Sequence, residues 1–155
     1  MIISVRYSEN KMEMKMKKSI TLLVTLLIIA GSTLTACSGN ASASLAGTWK
    51  LTSYGSPANL TAAAPNVDAS VIFGADGKVN GNVGCNGFSG DYKVDSDKVT
   101  FGSIASTLMA CADPIAQQEG VVFNVFTNTA TFKIDGNTLT VTSADGKSVV
   151  VLEKK

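Results

Sequence analysis

The sequence predicts an α+β domain: a single curved antiparallel β-sheet of about seven short strands, partly barrel-like, packed on one α-helix. Three observations carry that expectation. Runs rich in Val, Ile, Thr, Tyr and Phe recur between Asp-Gly and Asn-containing reversals from Trp49 to Glu153. One stretch, following Asp113-Pro114, has apolar residues near helical rather than alternating spacing. The chain has 155 residues, but residues 1–36 read as a removable leader, which leaves one domain with a usable core.

The first strand is expected at Trp49 to Tyr54, with Trp49, Leu51 and Ser53 on one face and Lys50, Thr52 and Tyr54 on the other. Pro57 to Pro65, rich in Ala, Thr and Asn, reads as a surface loop. Ser70 to Phe73 and Lys78 to Val83 flank Gly74-Ala75-Asp76-Gly77, whose Asp-Gly pair tolerates positive φ, so a hairpin follows. Gly90 to Val94 and Lys98 to Phe101 form a second hairpin around Asp95-Ser96-Asp97. Asp113-Pro114 fits an N-cap followed by proline at the first helical position, and Ile115, Val122, Val125 and Phe126 then give a helix from Pro114 to about Thr127. Gly120, Val121 and Val122 disfavour helix, so tertiary packing must hold it. Thr131 to Ile134, Thr138 to Ser143 and Ser148 to Glu153 complete a meander across Asp135-Gly136-Asn137 and Ala144-Asp145-Gly146-Lys147.

The N-terminal region carries an address. Lys15, Lys17 and Lys18 precede an uncharged run from Ile20 to Ala30, too short to cross a bilayer comfortably, and Leu34-Thr35-Ala36-Cys37 matches a bacterial lipobox. Residues 1–36 are therefore expected to be a lipoprotein signal peptide, with Met12, Met14 and Met16 as alternative starts. Acylation of Cys37 would anchor the domain without spanning the membrane, through a flexible tether over residues 37–45. The expected location is the bacterial cell envelope: the outer membrane facing the periplasm in a Gram-negative host, the outer face of the plasma membrane otherwise. Without the leader, the formal charge falls from +1 to about −2, and no basic cluster remains to grip nucleic acid. Export also places Cys85 and Cys111 where a disulfide is the economical reading, against the alternative of two buried free thiols.

Gly84-Cys85-Asn86-Gly87-Phe88-Ser89-Gly90 with Tyr92, then Thr107-Leu108-Met109-Ala110-Cys111 with Glu119 and Phe123, resemble the paired signatures of the META domain, to which the HslJ-like lipoproteins belong. The resemblance runs from about Ala46 to the C-terminus. It implies one curved antiparallel sheet on one helix, an envelope or secreted location, and an association with stress and drug-resistance phenotypes, but no defined reaction. Leu108 stands where many relatives place Arg or a polar residue.

Read from its residues, the first motif is a tight disulfide loop. Its three glycines permit sharp backbone around Cys85, Phe88 supplies an apolar anchor, and Asn86 and Ser89 can bond local backbone. The same Asn86, Phe88 and Ser89 are the candidate binding loop.

The chain contains no histidine, which removes the Ser-His-Asp, Cys-His and His-containing zinc arrangements. Ser89 with Lys93 or Lys98 is the nominal nucleophile pair. Asp91, Asp95 and Asp97 do not match an EF-hand, and the glycines from Gly81 to Gly90 lack the ending of a phosphate loop. No cofactor, metal or catalytic residue is expected. Three functions remain: a non-enzymatic, monomeric envelope module binding a protein, glycan or small apolar ligand, which is preferred; an inhibitor or protective partner of an exported hydrolase, presenting Asn86 to Ser89; and a small unconventional hydrolase.

Overall fold

The strongest sequence signal, alternation broken by Gly-containing turns, produces β-hairpins, and the computed structural model describes how they join over residues 45–155. Ten strands are formed: β1 (Gly47–Ser56), β2 (Asn59–Ala62), β3 (Ser70–Phe73), β4 (Lys78–Asn82), β5 (Gly87–Asp95), β6 (Lys98–Phe101), β7 (Ala105–Ser106), β8 (Thr129–Asp135), β9 (Thr138–Thr142) and β10 (Val149–Lys154). One helix, α1 (Ile115–Val125), lies wholly within the described residues. The antiparallel sheet runs β10-β9-β8-β6-β5-β4-β3-β1, and β1 also pairs with β10. Eight strands thus close a barrel, while β2 extends from β1 and β7 from β5. The lipobox and nearly all of the tether lie outside the described residues.

Alternation holds along most strands because one face of each is buried in the barrel. Strand β1 departs from it. Trp49 and Leu51 point inward as expected, but the register against β10 shifts between Leu51 and Ser53, and Tyr54 rather than Ser53 is buried. A bulge of this kind inserts one residue and reverses the facing of everything after it. The segment expected to be a loop between Pro57 and Pro65 contains β2, held by its backbone to β1 with all four residues exposed. Leu45, expected at the end of the tether, belongs to the core instead: it is fully buried and its carbonyl accepts the Trp49 indole N–H at 2.8 Å.

The interior-facing positions are filled by Trp49, Leu51, Val71, Phe73, Val79, Val99, Leu139, Val141 and Leu152. Helix α1 packs on this barrel through Val122 and Val125, and just beyond it Phe126 stacks on Phe101 at 4.5 Å between ring centroids. Phe73 and Phe88 complete the aromatic cluster around Phe126 at 6.4 and 5.9 Å. Tyr92 lies edge-on to Phe73, and its hydroxyl donates to the Gly74 carbonyl at 2.8 Å. Burial pushes that phenol above its ordinary pKa. The helix bounds agree closely with expectation, but Asp113 is not its cap. The cap position is Pro114, no side chain caps the helix, and the Ala112 carbonyl receives the Ile115 and Ala116 N–H groups.

Candidate functional site

Where β4 ends, the chain must cross to β5 over the start of α1. Gly84 has φ +146°, and a Cβ there would stand 2.7 Å from the Ile115 side chain, so the crossing requires glycine on both counts. Gly87 and Gly90 do not share that conformation. Gly90 answers to close packing, since a Cβ would meet the Ser103 carbonyl and the Ile104 side chain.

Cys85 and Cys111 are joined by a disulfide across a separation of 26 residues. In the chain-entropy account, closing such a loop stabilises the fold by about 3 to 4 kcal/mol. Beside it, Glu119 of α1 is buried, with one carboxylate oxygen accepting the backbone N–H groups of Cys85 at 3.0 Å and Asn86 at 2.5 Å. The other oxygen accepts the Asn86 side-chain amide at 2.8 Å. Asn86 reaches onward: its Nδ2 donates to the Met109 carbonyl at 3.2 Å, and its Oδ1 accepts the Met109 N–H and the Thr107 hydroxyl, both at 2.8 Å. Gln118 donates to the Val83 carbonyl and accepts the Ala64 N–H at 2.7 Å. Three loops, around residues 64, 85 and 109, are thereby fixed to one helix turn.

The expected binding loop is differently disposed. Asn86 and Phe88 are 6% and 5% exposed, and Phe88 packs against Phe123 and Phe126. Gly87 to Ser89 are the start of β5, not a loop, and of the three candidates only Ser89 faces solvent. Asn86 makes long-range bonds rather than the local turn expected of it. A rigid segment is presented nonetheless, and it is the other arm of the disulfide. Leu108 is 95% and Met109 57% exposed, on a stretch tied down by Asn86 on one side and Cys111 on the other. A shallow groove lined by Asn80, Gly81, Ser89, Ala105, Ser106 and Thr107 runs up to this tip.

The candidates for chemistry are not brought together. Ser89 and Lys93 are four residues apart along β5, about 13 Å at strand rise, and Lys98 pairs with Asp95 at that strand's far end. Asp91 is engaged by Lys78 at 2.5 Å on the surface. The sulfurs of Cys85 and Cys111 and a Glu119 oxygen lie within 4.8 Å of one another, a spacing that suits a metal. Sulfurs bonded to each other carry no thiolate, however, and the carboxylate already accepts three N–H groups, so in this oxidised state the set does not suit a metal ion.

The structure is similar to an NMR structure of a protein from Burkholderia xenovorans, with a TM-score of 0.61 and 20% identity over 74% of this chain and 86% of that one. A crystal structure of a DUF4847 family protein from Bacteroides vulgatus matches with a TM-score of 0.52 and 15% identity, over 72% and 94% of the two chains. At such identities the likeness establishes the fold. No curated protein matches in sequence. The META domain model matches residues 42–155, spanning the barrel, the helix and both arms of the disulfide, and the chain belongs to the META domain family.

Proposed function

We propose that this protein is a lipid-anchored, non-enzymatic binding module of the bacterial cell envelope, and that it captures a partner protein through the Leu108–Met109 tip. The observation that carries the reading is the pairing of exposure with rigidity. Two adjacent large apolar side chains stand in solvent on a segment whose backbone is fixed by Asn86 and whose end is fixed by the disulfide. Scattered exposed apolar residues are ordinary, but a pre-ordered pair loses little conformational entropy on binding. The uncharged groove beside the tip extends the surface a partner could cover. The inhibitor reading draws on the same feature, with the presented segment moved from Asn86–Ser89 to Thr107–Ala110.

Two measurements test this. Replacing Leu108 and Met109 together by Ser should leave the melting temperature close to that of the unaltered protein, because neither side chain is buried. Capture of envelope proteins from extract should fall about tenfold or more, the loss of roughly 1.4 kcal/mol or more of binding. Retention of every captured partner at full affinity would sink the tip as the binding element. For the anchor, the membrane-bound product should begin at Cys37 and carry fatty-acyl mass there. An N-terminus upstream of Cys37, or unmodified sulfur at that position, would remove it.

A further inference from the structure

We propose that β2 is a pairing edge through which two copies of this chain join, strand to strand, about a two-fold axis at Thr61. The phase of its hydrogen bonding sets this up. The Ala63 N–H donates to the Thr52 carbonyl, and β2 continues in register with Tyr54 opposite Thr61 and Ser56 opposite Asn59. Residues 59, 61 and 63 therefore direct their backbone groups to β1, while Leu60 and Ala62 direct theirs outward. No hydrogen bond among the described residues reaches those four outward groups.

Natural edge strands are commonly guarded by a charge, a proline or a bulge. Strand β2 has none of these, its shortness being its one protection: it reads Asn-Leu-Thr-Ala, is exposed throughout, and leaves Pro57 and Pro65 outside its bounds. The two-residue spacing of the free groups makes the edge self-complementary. In an antiparallel two-fold pair, Leu60 exchanges both of its backbone bonds with Ala62 of the second copy and the reverse, while Thr61 faces Thr61 at a non-hydrogen-bonded position, a favourable cross-strand pair. With no charge on the strand, the symmetry opposes no like charges, which favours a second copy over a partner selected by electrostatics. Four residues bury well under the roughly 1,200 Å² of a stable interface, so the association is weak and concentration-dependent, and the monomer expected from the sequence persists on dilution. The pairing rests on the strand's geometry and is independent of the Leu108–Met109 tip.

The test is register-specific cross-linking of the full-length chain, purified in mild detergent with its Cys85–Cys111 disulfide intact. Opposed non-hydrogen-bonded residues lie about 4.5 Å apart at Cα, within reach of a disulfide, so Thr61→Cys should link to itself under mild oxidation. Asn59→Cys shares the same face but would sit about 13 Å from its counterpart. The expected result is about tenfold more dimer from Thr61→Cys than from Asn59→Cys, mapped by mass spectrometry to position 61. Adding Leu60→Pro should abolish it, since that change removes an outward N–H and spares the bonds to β1. Leu60→Lys should weaken it by opposing charges across the axis. Equal linking from both cysteine variants, or linking that survives both Leu60 changes, would overturn the proposal. Linking of position 61 in cells to a different protein in place of itself would overturn it equally and assign the edge to that partner.

Discussion

Glu119→Ala should bring the domain close to unfolding. Three N–H groups point at the carboxylate, that of Cys85 part-buried and those of the Asn86 backbone and side chain buried. Deletion leaves both backbone groups without a partner and takes one bond from the Asn86 amide, which keeps its bond to Met109. Each orphaned buried donor costs about 1–3 kcal/mol, so a loss of about 4–6 kcal/mol is expected against a total of about 5–15 kcal/mol for a domain. Glu119→Gln separates this account from simple loss of packing. Its carbonyl can keep the two backbone N–H groups, but its amide nitrogen then faces the Asn86 Nδ2, donor against donor. Asn86 cannot turn over to relieve this without losing Met109 and Thr107. The cost should be about half that of the alanine change, read as the shift in urea midpoint at constant slope. Two variants each within about 1 kcal/mol of the starting protein would mean that the carboxylate does not organise these loops.

The second large effect is expected at Phe126. Its ring is fully buried and meets Phe101, Phe73 and Phe88, two barrel walls and the first motif. Phe126→Ala removes the body that joins the helix to the barrel. The expected loss is about 3–5 kcal/mol, toward the upper end because three aromatic pairs go with the ring. Phe126→Leu, which retains most of the volume, should cost under about 2 kcal/mol. Equal losses from the two substitutions would show that ring contacts, and not the filled space, dominate. Neither substitution costing more than about 1 kcal/mol would show that α1 does not depend on this contact.

The hairpins and the meander were legible because each has one buried face, and burial is what writes alternation into a sequence. Strand β2 has no buried face, so its residues carry no such pattern and its flanking prolines read as loop. The bulge after Leu51 was equally silent, since Ser53 and Tyr54 exchange places without any change of composition. Closure of β10 on β1 joins residues about a hundred positions apart, and nothing local encodes it. At the site, Cys85, Cys111 and Glu119 could be picked out by motif. Gln118 had no signal at all, because a glutamine between a surface and a buried position looks the same from sequence in either place. Phe88 anchors its loop against the helix, as the glycine-flanked motif suggests. The exposure of Leu108 and Met109 has no counterpart in the sequence, because composition does not say which arm of a disulfide stands in solvent.

The seam between the first and last barrel strands governs when this domain can exist. A polypeptide delivered from its N-terminus holds β1 in waiting until residues near 150 arrive, with Trp49, Leu51 and the inner face of β3 uncovered meanwhile. Closure of the barrel therefore waits on β10, and a chain that lacks this strand leaves β1 and β9 each with one edge unpaired.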